Sequence, residues 1–452
     1  MLNYVLDVLY FGGLALASPV WGYRMLRHGR YRRGVSQRLG AAPIRYGLQP
    51  VIWVSGVSLG EIRAAKPLID ELHAQLPDYR VVVSSWTDTG MDEARRTFAP
   101  DHTVFARPLD FSCAVSRSLR RVRPDLVVLV EGDLWPNFLR ACNRRNVPVV
   151  VVNGRMSPDR GYPGYKKLGS LGPRMLFNRL AALGVQNEEY ARRFIDLGTD
   201  ASRVHVTGMM KFDRSVDSFV EGQESLAAAL GLVAGGPLIV AGGTGEGEES
   251  LVLDAFDAVR RRFASARLAI VPRKPERFDD VAKLIAGRGL PVVRRTQRPD
   301  GVRADGGGPA DPRAVILGDT MGELRKFYAL ADAVFVGRSL LPQGGSDMIE
   351  SAALGKPTCF GPHTFNFPQA TDLADNGCVR VADVAALQAT LEHWLADPAA
   401  ATTAGKTAQA FVARQQGATR RNVDMICRVL GRTPAVAPGA IATDEVARAS
   451  CP

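Results

Sequence analysis

The chain has 452 residues, and its 57 basic and 46 acidic side chains give a net charge of +11. This length is enough for two to four domains. Hydrophobic residues make up 46% and charged residues 23%, which excludes a polytopic membrane protein, a disordered chain and a fibrous repeat. The six cysteines show no C-x-x-C spacing, which indicates reduced thiols rather than a disulfide framework or a zinc site.

The N-terminal segment joins an apolar stretch to a basic one. Residues 8–23 are largely apolar, and six arginines lie between Arg24 and Arg38 with no acidic residue among them. At about 1.5 Å per residue the apolar stretch would span roughly 24 Å, which is less than the ~30 Å hydrocarbon core of a bilayer. Pro19 and the Gly12–Gly13 pair also weaken a continuous helix.

Three interpretations compete for this segment. A cleaved signal peptide is disfavoured because no positive charge precedes the apolar stretch, and a plain core helix is rarely followed by so many arginines. We therefore predict a membrane anchor at residues 1–40, spanning or peripheral, with its arginines against anionic headgroups at the cytoplasmic face of the inner membrane. A nucleic acid partner is not expected, because aromatic residues other than Tyr31 do not interleave with the arginines.

From residue 50 onward, short β-branched runs alternate with longer helical stretches. Continuous apolar runs of this kind are typical of parallel sheets that are buried on both faces. In the first half the predicted strands are 51–54, 80–84, 126–131, 147–152, 181–185 and 204–207. In the second half they are 238–242, 268–272, 291–293, 314–317, 333–336 and 357–360.

Strand–helix alternation in two similar blocks predicts an α/β fold with two doubly wound, Rossmann-like domains that face a central cleft. The predicted domains are residues 41–215 and 216–432, with a surface loop at 297–313 and a disordered tail at 433–452. Helix N-termini at the strand ends would favour a phosphorylated or nucleotide-bearing ligand. Architecture alone does not give the reaction.

Polar residues follow several predicted strands of the first half. Glu61 opens a helix after the first strand, where it could complement the helix dipole or act as a general base. Residues 131–137 read Glu-Gly-Asp-Leu-Trp-Pro-Asn, and Asp133 there could cap a helix or face a ligand. Lys211 would supply a cation near the domain boundary.

The second half carries features typical of phosphate binding. Residues 242–249 form a glycine-rich turn that lacks the spacing of a Walker loop. Arg273 and Lys274 follow a strand, and residues 317–324 form a further turn. Glu350 lies six residues beyond Gly344, where its carboxylate could accept hydrogen bonds from both ribose hydroxyls.

These motifs resemble the 3-deoxy-D-manno-octulosonic acid (Kdo) transferases of lipid A biosynthesis, which are inverting glycosyltransferases of the GT-B fold. The resemblance runs from the N-terminal segment to about residue 430. Its most specific stretches are 134–137, 207–213, 318–324, 353–357 and 360–367. It implies an acceptor domain at 41–215, a donor domain at 216–432, a CMP-Kdo donor and a lipid A precursor as acceptor. No metal or other cofactor is expected, because CMP is a good leaving group and the sequence has no D-x-D motif.

Carried over by position, the family's catalytic base falls on Glu61. The carboxylate and the lysine that stabilise its transition state fall on Glu131 and Lys211. The CMP contacts fall on Pro272, Arg273, Met321, Gly322, Glu323, Asp347, Met348, Ile349 and Glu350.

The chain also departs from the family pattern. Histidine is usual at the positions of Ser55, Gly245, Lys274 and Ser346, and asparagine at that of Asp347. Such groups would touch the donor sugar, so a related GT-B transferase with another CMP-activated ulosonate or another membrane acceptor remains an alternative. A second alternative is a non-catalytic nucleotide-sugar-binding membrane protein, which the retained acids and lysine disfavour.

Overall fold

The computed structural model describes residues 2–28, 34–158, 161–215, 220–232, 236–300, 311 and 313–434. Much of the predicted loop at 297–313, and the predicted tail from 435 onward, lie outside these residues. The chain divides into two compact units. One contains the residues up to Arg214 together with those from Gln416, and the other is Ser215–Gln415. Each unit has one seven-stranded sheet, so the predicted α/β class with two Rossmann-like sheets is confirmed.

The sheet of the first unit has the order β3-β2-β1-β4-β5-β6-β7, and all neighbouring strands are parallel. Its strands are β1 (Val51–Gly56), β2 (Arg80–Ser85), β3 (Thr103–Ala106), β4 (Leu126–Val130), β5 (Val149–Gly154), β6 (Ala182–Val185) and β7 (Val204–Val206). Its helices up to this point are α1 (Leu2–His28), α2 (Val35–Arg38), α3 (Leu59–Gln75), α4 (Asp88–Phe98), α5 (Ser112–Val122), α6 (Pro136–Asn143), α7 (Gly161–Lys166), α8 (Leu171–Met175) and α9 (Glu188–Asp196).

Both faces of this sheet are buried, which explains why its strands are apolar without alternation. Val127 and Leu129 of β4 pack into the cluster around Trp53 on one face. Their neighbours Val128 and Val130 pack into the second cluster, on the other face. All five residues of β4 are buried.

The sheet of the second unit has the order β10-β11-β9-β8-β12-β13-β14, again with parallel neighbours throughout. Its strands are β8 (Leu238–Thr244), β9 (Arg267–Pro272), β10 (Val292–Arg294), β11 (Val315–Leu317), β12 (Ala333–Val336), β13 (Thr358–Phe360) and β14 (Val379–Arg380). Its helices are α10 (Gln223–Ala229), α11 (Glu248–Arg262), α12 (Phe278–Gly287), α13 (Leu324–Leu330), α14 (Ile349–Ala353), α15 (Ala370–Asp375), α16 (Val384–Ala396) and α17 (Pro398–Gln415).

The last helix, α18 (Ala418–Val429), belongs to the first unit. Asp213 fixes its start, because its two carboxylate oxygens accept hydrogen bonds from the backbone N–H groups of Gly417 and Thr419. The helix packs so close to β6 that a Cβ at Gly184 would lie 2.4 Å from Oδ1 of Asn422. The structure thus differs from the predicted division, which kept residues up to 432 in the second domain.

The N-terminal segment forms one helix of 27 residues, and Pro19 lies inside it. The expectation that Pro19 and the glycine pair would weaken it is therefore not met. No helix in the described ranges combines the length and the hydropathy that crossing a membrane requires. Arg38, one of the six predicted membrane arginines, is instead buried, and its guanidinium donates to the carbonyl oxygen of Trp86 over 2.7 Å. Arg30, Arg32 and Arg33 lie outside the described residues.

Candidate functional site

The carboxyl ends of β1 and β4 lie side by side in the first sheet. Strand β2 pairs with one side of β1, and β4 pairs with its other side. The strand order therefore reverses between β1 and β4. Open parallel sheets bind their ligands at such a switch point. Glu61 follows β1 and Glu131 follows β4, so the structure brings these two predicted catalytic acids to the switch point.

Glu61 is held in place at the start of α3. The hydroxyl of Ser58, which caps this helix, donates a hydrogen bond to Oε1 of Glu61 over 3.0 Å. The backbone N–H of Val57 donates to Oε2 over 2.7 Å. This arrangement is close to a capping box, in which a serine and a glutamate three residues later serve each other's helix-terminal groups. Glu61 therefore has a structural role at the helix start, and this role also fixes the orientation of its carboxylate.

The surroundings of Glu61 also change its acidity. Burial raises the pKa of Glu61 to about 7 despite the hydrogen bond from Val57, and the nearby charges of Glu131 and Asp133 raise it too. A carboxyl group with such a pKa is about half ionised at neutral pH. It can therefore accept a proton from a substrate at that pH, which an ordinary carboxylate does poorly.

Glu131 lies in a turn that the backbone makes in the left-handed region. Its φ is 63°, and that of Gly132 is 101°. Arg155 lies 3.6 Å from the Glu131 carboxylate, measured from Nε to Oε2. Burial raises the pKa of Glu131, whereas the positive charges of Arg155 and Lys211 lower it. The turn therefore directs an acidic side chain into a partly buried site that also contains cations.

Lys211 is connected to the same turn through Asn153. Oδ1 of Asn153 accepts a hydrogen bond from the backbone N–H of Met210 over 3.1 Å, and its Nδ2 lies 3.4 Å from Oε1 of Glu131. Since Met210 directly precedes Lys211, this amide ties the lysine segment to the acid. The structure thus brings all three predicted catalytic residues together within the first unit.

A cavity of about 300 Å³ opens beside these residues. Glu61, Glu131 and Asp133 supply its acidic wall, and Arg155 contributes a cation. The remaining lining residues include Met156, Tyr165, Phe177, Leu183 and Phe194. A largely apolar cavity with a few polar groups at one end is typical of a small-molecule site.

Asp133 lines the cavity but does not have the capping role that the sequence also allowed. It does not cap α6, whose cap position is Trp135. Its Oδ2 accepts a hydrogen bond from the Arg107 guanidinium, and its Oδ1 accepts one from the indole N–H of Trp135 over 2.7 Å. The side chain of Arg107 is only 2% exposed. Asp133 therefore neutralises a buried arginine, and both of its oxygens are engaged.

The N-terminal helix α1 contacts the same region, which the sequence did not indicate. Asp7 accepts hydrogen bonds from the backbone N–H of Ser112 over 2.9 Å and from Nδ2 of Asn137 over 3.0 Å. The Tyr10 ring packs edge-on against Phe111 and Trp135, with centroids 6.3 and 6.2 Å apart. Helix α1 is thus fixed to the turn that carries Asp133.

The predicted CMP-binding residues follow three strands of the second sheet. Pro272 ends β9 and Arg273 follows it, while Met321, Gly322 and Glu323 come after β11, and residues 347–350 come after β12. Because parallel strands end at one edge of a sheet, all of these residues lie at the same edge. Arg273 is exposed, and its backbone N–H donates to the carbonyl oxygen of Thr244 over 3.0 Å.

Tyr328, on α13, connects several of these residues and was not identified from the sequence. Its side chain is fully buried, and its hydroxyl has no hydrogen-bond partner in the described part of the chain. Burial raises its pKa, Glu350 and Asp347 raise it further, and Arg273 lowers it. The charges of three predicted CMP-binding residues therefore all act on one buried hydroxyl.

Glu323 differs from the other predicted contacts because cations surround its carboxylate. Arg295 donates to both carboxylate oxygens, over 2.9 and 3.0 Å, and Lys326 donates over 3.2 Å. The hydrogen bonds from Arg295 lower the pKa of Glu323 to about 2. Any contact that Glu323 makes with a nucleotide would therefore use its backbone.

In the segment 347–350, too, several side chains are engaged within the protein itself. Met348 and Ile349 are fully buried, so their side chains pack in the core. Oδ1 of Asp347 accepts a hydrogen bond from the backbone N–H of Ile349 over 3.1 Å. Glu350 is half-buried. Within the described residues, no three His, Cys, Asp or Glu side chains cluster as a metal site would need.

Comparisons with known proteins agree with this architecture. A glycosyltransferase from Rickettsia africae has a TM-score of 0.58 and 14% identity, covering 85% of this chain and 99% of that one. UDP-GlcNAc 2-epimerase from Neisseria meningitidis also has a TM-score of 0.58, with 13% identity over 84% of this chain and all of that one. These structural similarities show that the protein has a fold of the GT-B type. Proteins with this fold catalyse more than one reaction, so the fold does not give the activity.

Sequence comparison narrows the class to a family. The family model "3-Deoxy-D-manno-octulosonic-acid transferase (kdotransferase)" matches residues 33–214. The 3-deoxy-D-manno-octulosonic acid transferase of Bordetella pertussis is 34% identical over 440 residues, which cover 93% of this chain and 97% of that protein. The chain belongs to the 3-deoxy-D-manno-octulosonic acid transferase family.

The pairing of Asp133 with Arg107 makes a prediction about stability. Asp133→Asn leaves a buried guanidinium without its counter-charge, and we expect unfolding to become about 3 kcal/mol easier. The expected fall in melting temperature is about 5–10 °C. Asp70→Asn is the matched control, because it removes the acid of an exposed pair with Lys66 and should cost less than about 1 kcal/mol. An unchanged melting temperature for Asp133→Asn would contradict the pairing.

Proposed function

We propose that this protein transfers Kdo from CMP-Kdo to a hydroxyl group of a lipid A precursor, with inversion at the anomeric carbon. Membership of the Kdo transferase family supports the reaction class. The observation that carries the mechanism is the Glu61 carboxylate, which is oriented by two hydrogen bonds and has a pKa of about 7. It faces the cavity that also holds Glu131 and Asp133.

In this mechanism Glu61 is the general base. The acceptor hydroxyl oxygen forms a bond to the anomeric carbon of the donor sugar while the bond from that carbon to the phosphate oxygen breaks. The hydroxyl proton passes to Glu61, and CMP leaves with the bonding electron pair. General-base catalysis of this kind contributes about 10²–10⁴-fold to the rate.

Two kinds of charge develop in such a transition state, and the chain has a group for each. Positive charge at the anomeric carbon is favoured by Glu131, and negative charge on the departing phosphate is favoured by Lys211 and Arg273. CMP is a good leaving group, so we propose that no divalent metal is needed. Pro272, Met321, Gly322, Asp347 and Glu350 are proposed to bind CMP, together with the backbone of Glu323, Met348 and Ile349.

We also propose that the protein works at the cytoplasmic face of the inner membrane, with α1 in contact with an anionic surface. Val8, Leu9, Phe11 and Leu16 on this helix are each more than 60% exposed. A helix that is docked on one side and exposes large apolar residues on the other is suited to lie in a membrane interface. Because Asp7 and Tyr10 fix α1 beside Trp135, membrane contact would bring the acceptor lipid near the cavity.

The reaction can be tested with the full chain, CMP-Kdo and an acylated lipid A precursor. We expect the acceptor mass to increase by that of one Kdo residue, which is Kdo less one water, and we expect the same increase in the presence of a metal chelator. Glu61→Gln should lower turnover about 100-fold or more. Melting temperature and CMP affinity should hardly change, because glutamine also serves in a capping box.

Glu188→Gln is the control. Glu188 is also an acidic residue in the first turn of a helix, α9, but its side chain is exposed. Its turnover should equal that of the wild type. Full activity of Glu61→Gln would contradict the assigned base. Transfer from another CMP-activated sugar but not from CMP-Kdo would instead favour the related transferase that the missing histidines leave open.

Membrane contact gives a separate prediction. The double change Phe11→Gln and Leu16→Gln should lower binding to anionic phospholipid vesicles about 100-fold or more, since each side chain loses ~1.5–3 kcal/mol of apolar burial. Leu48→Gln is the matched control, because Leu48 is 96% exposed but precedes β1 at the other edge of the sheet. Vesicle sedimentation measures both. Equal binding of all three proteins would refute the role of α1.

A further inference from the structure

The turn between β12 and α14 lies at the switch point of the second sheet. In this sheet β8 is flanked by β9 and β12, so the strand order reverses between β8 and β12. Strand β8 ends in residues 242–244, residues 245–247 follow it, and residues 337–346 leave β12 directly beside them. Two adjacent turns at a switch point form the place where such a sheet binds its ligand.

A fully buried carboxylate, Glu248, holds these two turns together. It lies at the start of α11 and is 0% exposed. Its Oε1 accepts hydrogen bonds from the backbone N–H groups of Ser339 and Leu340 over 2.8 and 3.0 Å, and its Oε2 accepts one from that of Arg338. A carboxylate satisfied by so many donors is a rigid structural link.

Arg338 adopts an unusual backbone conformation in this turn. Its φ is 59°, in the left-handed region that favours glycine. The hydrogen bond from its backbone N–H to Glu248 keeps the residue there. Glycine would adopt this backbone conformation without strain. Residues other than glycine in such conformations concentrate at functional sites. The arginine side chain at this position therefore calls for a functional reason.

The side chain of Arg338 lies over the glycine turn that leaves β8. A Cβ at Gly245 would be 2.9 Å from Cγ of Arg338 and only 1.8 Å from Oε1 of Gln343. Nη2 of Arg338 donates to the carbonyl oxygen of Gln343 over 2.8 Å, and Nε2 of Gln343 donates to that of Glu246 over 2.8 Å. The space that a side chain at residue 245 would need is thus filled by Gln343 and Arg338.

The guanidinium of Arg338 hydrogen-bonds to a neutral group, the carbonyl oxygen of Gln343. Among the residues that the structure describes, it forms no ion pair with a carboxylate. An arginine offers a planar set of N–H donors that matches a carboxylate or a phosphate. A half-buried, unneutralised guanidinium at a switch point is suited to bind an anionic ligand.

We propose that Arg338 binds an anionic oxygen pair of the CMP-sugar donor and so determines donor specificity. The inference rests on the proposed function, because it takes the donor to be a CMP-activated ulosonate. Such a donor has two anionic groups, the phosphate that joins the sugar to the nucleoside and the carboxylate of the sugar. Gln343 orients the guanidinium through its backbone oxygen and occupies the place above Gly245.

The test compares Arg338→Gly with the wild-type full chain. Glycine suits the left-handed φ, so the melting temperature should be unchanged or higher. The KM for the CMP-activated donor should rise about tenfold or more, because a charged hydrogen-bonding group is lost. Arg338→Lys keeps the charge without the planar fork, and its KM should lie between the two.

Arg123→Gly is the matched control, because Arg123 is the exposed arginine after α5 whose φ is 45°. Its donor KM should equal that of the wild type. Calorimetry with CMP alone identifies the anionic group: unchanged CMP affinity in Arg338→Gly assigns the guanidinium to the sugar carboxylate, and a parallel loss assigns it to the phosphate.

A donor KM for Arg338→Gly within twofold of the wild-type value would overturn the role of Arg338 while leaving the proposed function intact. A wild-type protein that neither transfers sugar nor binds CMP would instead overturn the proposed function itself.

Discussion

Hydrogen bonds orient the carboxylate of Glu61, while its surroundings disfavour the ionised form. The proposed chemistry depends on the balance between these two effects. Ser58 and Val57 hold its two oxygens, while burial and two neighbouring acids bring its pKa to about 7. The neighbours differ in their partners. Asp133 pairs with Arg107, and Glu131 lies near Arg155, whereas in the described ranges Glu61 forms no ion pair. The two neighbouring acids thus lie beside arginines, whereas burial and the charges of these acids favour proton uptake by Glu61.

The second unit uses a buried carboxylate for a different purpose. Glu248 accepts hydrogen bonds from the backbone of three successive residues, and this network fixes the turn that carries Arg338. Glu61 accepts one backbone hydrogen bond and one from a hydroxyl, and it lines a cavity. The number of donors and the access to a cavity, rather than the residue type, decide whether a glutamate at a switch point is structural or reactive.

The sequence predicts the two sheets because strands buried on both faces are continuous apolar runs, as in β4. The sequence did not predict strands β3 and β14. They have only four and two residues, some of them partly exposed, and therefore form no continuous apolar run. The positions of Glu61, Glu131 and Lys211 could be predicted from strand ends and family motifs. Contacts such as Arg107 with Asp133, or Asp7 with Asn137 130 residues later, have no local pattern. The left-handed backbone of Arg338 depends on a hydrogen bond to a residue 90 positions earlier.

The pKa of Glu61 can be measured in the protein itself. Infrared difference spectra of the full chain across a pH titration, with Glu61→Gln subtracted from the wild type, isolate the carboxyl band of this residue. We expect a midpoint near pH 7, because burial and the two neighbouring acids raise the pKa of Glu61. A midpoint near 4.3, the value of an unperturbed glutamate, would show that the hydrogen bonds outweigh burial. Glu61 would then be a helix-capping acid, and the proposed base would have to be another group.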